Sequence, residues 1–300
     1  VIVQILFFCT LYKRFLMTIN LVGYALGVGS TDHRSSEAPH FLKRWLQENS
    51  ELKVFWSAIH EAHSSLDKMK ALPVISQTCQ SLAKSIHDLA LAQKRWVTIG
   101  GDHSAAIGTW SGLASAIDDP IGLIWFDAHL DAHTPETSHT HNIHGMPVAC
   151  LLGHGPSELT HILTKHPKIK PEHIYYIGIR DYEDEEMAFI QAQGIHYYTN
   201  KQVASEGIES ILSTVVETLS KQTVGFGLSF DVDGLDPKDA PGVATAVPEG
   251  VRWHDLSPCL PSLLQHPQLL GLEIVEYNPS LDVDHQTLSI VTTLLELYGA

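Results

Sequence analysis

Two largely apolar runs in this chain stop abruptly at metal-binding side chains. Ile121 to Phe126 ends at Asp127-Ala128-His129-Leu130-Asp131, and Val224 to Phe230 ends at Asp231-Val232-Asp233. A run such as Ile121-Gly122-Leu123-Ile124-Trp125-Phe126 has no polar alternation, so it reads as a strand buried on both faces, as in the parallel sheet of an α/β protein. The carboxylates behind it then emerge at the strand's carboxyl end, where open α/β sheets build their sites. Alternate residues of an extended backbone point the same way. Asp127, His129 and Asp131 can therefore converge on one point, and Asp231 and Asp233 can meet them from a second strand. A third source is Gly100-Gly101-Asp102-His103, which follows the run Arg95 to Ile99 and precedes a helix-like stretch from Ala105.

These segments supply His103, Asp127, His129, Asp131, Asp231 and Asp233. No single small cation needs six such ligands. With bridging carboxylates, the set suits two divalent ions about 3.5–4 Å apart that share a water and lower its pKa toward neutrality. Nitrogen and oxygen donors without thiolate favour Mn²⁺ over a Cys-rich structural zinc site, while zinc, iron and cobalt stay open on donor chemistry. Single DxD or DxH pairs also arise as helix caps, turns or solvated acidic loops; the joint occurrence of several behind buried strands decides for metal.

Gly100-Gly101-Asp102-His103-Ser104, Phe126-Asp127-Ala128-His129-Leu130-Asp131 and Ser229-Phe230-Asp231-Val232-Asp233-Gly234-Leu235-Asp236-Pro237 resemble, in order and spacing, the signatures of the arginase family of ureohydrolases. The resemblance runs from about Asn20 to the C-terminus. It implies a three-layer α/β/α fold around a mainly parallel sheet and two Mn²⁺ per subunit, held by the six ligands above. It implies hydrolysis of a guanidinium carbon with release of urea, and assembly as a homotrimer or homohexamer. His144, in Asn142-Ile143-His144-Gly145, is similar to the family's proton-shuttling histidine, a task suited to an imidazole whose unperturbed pKa lies near neutrality. Glu276 is similar to the carboxylate that pairs with the substrate guanidinium, whose planar fork one carboxylate can hold in register. Asp131 would also accept a hydrogen bond from the bridging hydroxide.

The loop Thr134 to Pro147 resembles arginases rather than agmatinases in length and closing pattern. The resemblance puts Ser138, Thr140 and Asn142 at positions that hold an α-carboxylate, and Glu183 where an aspartate attracts the α-amino group. Two positions depart from arginases. His133 replaces an asparagine that hydrogen-bonds the α-carboxylate, offering donors of different geometry. Pro241-Gly242-Val243-Ala244-Thr245-Ala246-Val247-Pro248 replaces the usual Gly-Thr-Pro turn and is closer to formimidoylglutamases, although Thr245 keeps the hydroxyl. The expected reaction is hydrolysis of L-arginine to ornithine and urea. Formimidoylglutamase or another guanidino-acid hydrolase is the alternative, and a noncatalytic metal-binding regulator is an alternative of another class. Retention of all six ligands, His144 and Glu276 counts against the regulator.

A chain of 300 residues, 44% hydrophobic, can bury a sizeable core, and motifs spread from His103 to Glu276 argue for one catalytic domain over 17–300. A net charge of −15 disfavours nucleic acid as a partner; the expected partner is a small guanidino substrate. Cys9, Cys79, Cys150 and Cys259 form no CxxC pair, which fits a reducing cytoplasm. Val1 to Leu16 reads as an upstream extension before Met17, a natural start into a first strand. Its apolar part, Val1 to Leu11, is too short to span a bilayer and lacks a preceding basic segment, so no stable membrane insertion is expected. Elsewhere strands alternate with helices. Strands are predicted at Leu21–Leu26, Trp96–Ile99, Ile121–Phe126, Ile174–Ile179, His196–Tyr198, Val224–Phe230 and Leu270–Val275, with amphipathic helices at Ser76–Gln93 and Gly207–Lys221. Gly29 to Arg34 reads as a polar loop at the site rim, with His33 solvated, and His139 and His141 read as loop residues.

Overall fold

The computed structural model describes residues 18–300; the expectation for Val1 to Leu16 lies outside the described residues. Eight strands form one sheet: β1 (Ile19–Ala25), β2 (Val54–Glu61), β3 (Trp96–Ile99), β4 (Gly122–Phe126), β5 (Ile174–Ile179), β6 (His196–Thr199), β7 (Phe226–Asp231) and β8 (Leu269–Val275). Their order is β2-β1-β3-β8-β7-β4-β5-β6, and every pairing is parallel. All carboxyl ends therefore point the same way. The four ends that carry His103, Asp127, Asp231 and Glu276 belong to the adjacent central strands β3, β4, β7 and β8.

Two cores flank the sheet, which accounts for its unbroken apolar runs. In β4, Ile124 and Phe126 join one core while Leu123 and Trp125 join the other; in β5, Tyr175 and Ile177 oppose Ile174 and Tyr176 in the same way. The first core is closed by helices Ala38–Asn49, Ile208–Gln222 and Gln286–Gly299, the second by Leu72–Leu91, Ala105–Ala116 and Asp184–Gln193. This is the three-layer α/β/α arrangement, and no helix among the described residues is long and apolar enough to cross a membrane.

The seven predicted strands are present with ends shifted by a few residues, and the two predicted helices span Leu72–Leu91 and Ile208–Gln222. The sequence reading omits β2. It pairs only with β1, at the sheet edge, and its residues are half-buried or exposed, including Phe55 at 59%. Val-Phe-Trp-Ser-Ala-Ile-His-Glu offers neither a continuous apolar run nor a clean alternation, so periodicity gives little signal for it.

In the second core two tryptophans pack directly against glycines of the sheet. Trp96 and Trp110 are fully buried with ring centroids 6.0 Å apart. Their indoles occupy the space where a Cβ would stand on Gly271 of β8 and Gly227 of β7, respectively. A methyl there must displace an indole in a dense core. Gly271→Ala is expected to lower the free energy of unfolding by at least about 2 kcal/mol, read as a lower midpoint in urea denaturation followed by tryptophan fluorescence.

Candidate active site

The site is built from backbone turns at the strand ends. β3 runs into Gly100–Ser104, fastened to its neighbours by Gly100 N–H donating to Ile274 O (2.8 Å), Glu276 N–H to Gly101 O (2.9 Å) and Asp102 N–H to Leu26 O (3.0 Å). Asp102 is fully buried and accepts Gly29 N–H at 2.7 Å; the His144 N–H in turn donates to Gly29 O at 3.2 Å. The Gly29–Arg34 loop thus sits against the site, with His33 exposed. Burial, followed by the charge of Glu276, pushes the Asp102 carboxyl up to about 6. Asp131 and Glu276 adopt left-handed φ values of +48° and +61°. Such conformations cost roughly 1–3 kcal/mol each for non-glycine residues and persist where surrounding contacts impose them.

The six predicted metal ligands converge. His103 Nδ1 lies 3.2 Å from Asp127 Oδ2, 2.9 Å from Asp131 Oδ2 and 3.1 Å from Asp231 Oδ2, yet it makes no directed hydrogen bond to any of them. Separations of about 3 Å without donor alignment are those of neighbouring donors around one octahedral cation with bonds of about 2.1 Å. On the other side, His129 Nδ1 lies 3.4 Å from Asp127 Oδ1 and 3.3 Å from Asp233 Oδ2. Asp127 therefore turns one oxygen toward each group, and two metal-capable sets share it: His103, Asp127 and Asp231, and Asp127, His129 and Asp233.

Protonation tendencies follow from this crowding. Burial raises the carboxyls of Asp131 and Asp231, reinforced by neighbouring aspartates, and raises Asp233 to about 6 despite His129. Burial opposes charge on His103 and His129, but the surrounding carboxylates prevail and hold both imidazoles well above their ordinary range. Burial would likewise raise Asp127; the two imidazoles outweigh it and hold that carboxyl below the usual range. Four carboxylates and two imidazoles in a buried volume compete for positive charge, which divalent cations would supply. The donor set fits a metal pair.

Supporting side chains fix these candidate donors. Ser229 donates its hydroxyl to Glu273 Oε2 (2.7 Å), so its oxygen accepts from His103 Nε2–H (3.0 Å), leaving the Nδ1 lone pair for a cation. Trp110 Nε1–H donates to the same Glu273 oxygen at 3.1 Å. Trp125 stacks on the His103 ring at 4.2 Å and donates its indole N–H to Asp127 Oδ2 at 2.8 Å. Beneath Asp233, Arg180 donates to the carbonyls of Gly178, Asp233, Gly234, Leu235, Val247 and Pro248, stapling the β7 turn to the 241–248 segment.

Above this floor opens a cavity of about 190 Å³ lined by His129, Asp131, His133, Ser138, Thr140, Asn142, His144, Asp181, Tyr182, Glu183, Glu186, Asp231, Asp233, Thr245 and Glu276, among others. The structure thus brings together the residues assigned metal, catalytic or substrate roles from sequence, with His103 and Asp127 buried beneath the floor. Glu276 Oε1 accepts from His103 N–H (2.8 Å) and from His144 Nδ1 (3.0 Å). Burial opposes charge on His144, but Glu276, with Asp131 and Asp102, outweighs it and holds the imidazole up at about 9. His139 and His141 are exposed and do not line the cavity. Sequence reasoning passed over Ser229, Glu273, Trp110, Trp125, Arg180 and Glu186. The one local signal was Glu273, a carboxylate inside an apolar strand.

The family model for the arginase family matches residues 18–298. This chain belongs to the arginase family. An arginase from Bacillus caldovelox is 38% identical over 242 residues, 80% of this chain and 80% of that protein. The crystal structure of Entamoeba histolytica arginase in complex with L-ornithine superposes with a TM-score of 0.86 at 29% identity, covering 94% of this chain and 99% of that one. Formimidoylglutamase from Bacillus subtilis gives a TM-score of 0.75 at 23% identity, covering 94% of this chain and 86% of that one, a likeness of fold alone. The chain is accordingly an arginase-family enzyme, a metal-dependent C–N hydrolase.

A single conservative substitution tests the Arg180 staple, because a lysine has no planar fork to satisfy several carbonyls at once. Arg180→Lys is expected to cost about 2–3 kcal/mol of unfolding free energy, measured by chemical denaturation; an unchanged midpoint would show the staple to be dispensable.

Proposed function

We propose that this chain is a binuclear manganese hydrolase that cleaves the guanidinium group of L-arginine to L-ornithine and urea. The observation that carries the reading is Asp127, one oxygen toward each of two histidine–carboxylate sets, beneath a cavity that also holds Glu276 and His144. His103, Asp127, Asp131 and Asp231 would hold one ion, and His129, Asp127 and Asp233 the other. Manganese rests on the mixed imidazole and carboxylate donors. When bound, such a pair supplies the Lewis acidity that brings the pKa of water toward neutrality. The identity to curated arginases and the likeness to an arginase holding L-ornithine support the choice of substrate.

In this reading the chain's own groups orient the substrate and manage its protons. Glu276 spends Oε1 on His103 and His144, leaving Oε2 to take the guanidinium in register. Ser138, Thr140 and Asn142 receive the α-carboxylate and Glu183 the α-ammonium, so the guanidinium carbon is held over the floor; Thr245 closes the rim. Fixing both ends of a flexible substrate supplies much of the rate by orientation. Asp131 accepts a hydrogen bond from the attacking nucleophile. His144, protonated beside Glu276, returns a proton to the leaving nitrogen. The reading takes 17–300 as one catalytic domain working in the cytoplasm as a homotrimer or homohexamer, which cell fractionation and light scattering test.

The deciding experiment follows urea and ornithine release from arginine with added Mn²⁺, beside agmatine, formimidoylglutamate and guanidinobutyrate. Arginine is expected to be the preferred substrate; turnover of none would sink the hydrolase reading. Asp127→Ala and Asp231→Ala are expected to lose bound manganese by elemental analysis and to reduce urea release to background. His144→Gln should keep its metal and lose roughly 10²–10⁴-fold in kcat.

A further inference from the structure

The cavity mouth carries a second knot of titratable groups. His133 is buried, with Nδ1 3.1 Å from Thr137 Oγ1 and Nε2 3.0 Å from Glu183 Oε2 and 3.4 Å from Glu186 Oε2. Both ring nitrogens are therefore engaged by the chain itself. Glu186, also buried, accepts Ala132 N–H on Oε1 (3.1 Å) and Glu183 N–H on Oε2 (3.2 Å), so it is locked to the backbone on both sides of the mouth. The three side chains are close enough to hold a cation, but the Glu186 oxygens already serve two backbone donors. Glu183 alone of the three is exposed.

We infer that His133 is a positioning residue: it clamps Glu183 as a fixed anion for the substrate's α-ammonium and does not itself hold the α-carboxylate. The inference rests on the proposed arginine reading and assigns to a histidine at the mouth a different task from the carboxylate contact expected of that position. A half-exposed glutamate has three rotatable bonds to restrain, and an imidazole N–H aimed at one oxygen removes most of that freedom. Protonation agrees with the geometry. Burial and the contact with Glu183 push the Glu186 carboxyl up to about 9, whereas Glu186 and His133 hold Glu183 below its ordinary range, so the charge of the pair resides on Glu183.

The test uses three ligands that differ only at the α-position and need no turnover: L-ornithine, its des-amino analogue 5-aminopentanoate and its decarboxylated analogue putrescine. Their dissociation constants are measured by calorimetry on the Mn²⁺-loaded protein. His133→Ala is expected to weaken ornithine and putrescine roughly tenfold while 5-aminopentanoate stays within about twofold. Glu183→Gln, which keeps a side-chain oxygen at the N-cap of the Asp184–Gln193 helix while removing the charge, should give the same pattern. The double variant should bind no more weakly than Glu183→Gln alone, since both act through one contact. Weakening of ornithine and 5-aminopentanoate with putrescine spared would make His133 a carboxylate holder and overturn the clamp. Equal weakening of all three, or of none, would overturn it too. Wild-type protein that binds 5-aminopentanoate as tightly as ornithine overturns the clamp whether or not arginine is cleaved. Absence of urea release with ornithine still preferred defeats the proposed reaction and leaves the clamp standing.

Discussion

Asp127 sits fully buried between two imidazoles, each facing a different oxygen of its carboxylate, and the surrounding architecture answers to that placement. A lone buried carboxylate is expensive, and three more within the same volume multiply the repulsion. The arrangement is tolerable only where opposite charge is supplied at short range. Adjacent parallel strands make this possible, because their carboxyl ends bring carboxylates from β4 and β7 and an imidazole from the turn after β3 to within about 3 Å of one another without any long flexible side chain.

Much of the remaining site holds those ligands in place. Glu273, Ser229 and Trp110 form a buried chain of donors and acceptors that ends at His103 Nε2 and so dictates which nitrogen faces the carboxylates. Trp125 fixes both His103, by stacking, and Asp127, by an indole hydrogen bond. Arg180 ties down the backbone that carries Asp233. The left-handed backbone of Asp131 and Glu276 is strain of the kind that such over-determined surroundings can sustain, and both residues have a place in the proposed chemistry.

Floor and mouth are built differently. The six metal-facing residues stand at or after strand ends and all but His129 are buried, whereas Ser138, Thr140, Asn142, Glu183 and Thr245 lie on loops. A rigid floor with variable loops above it lets one fold keep its reaction while changing what it accepts. The departures of this chain from arginases, His133 and the 241–248 turn, fall in that upper layer. His133 compensates by gripping Glu183.

The strands and the cluster of candidate ligands were legible in the sequence because both depend on local pattern. A double-faced burial leaves an unbroken apolar run, a strand end followed by DxH or DxD leaves a short motif, and neither needs knowledge of what lies opposite. Tertiary structure alone decided which strand ends are neighbours, that Asp127 faces both sets, and that Arg180 reaches carbonyls up to 68 residues away. It also decided that His133 meets Glu183 across 50 residues instead of facing the cavity alone, and that Val54–Glu61 joins the sheet at its edge. These features arise from contacts between segments distant along the chain, where the energy lies in relative position and orientation, and a pattern of residue types along one dimension carries no record of either.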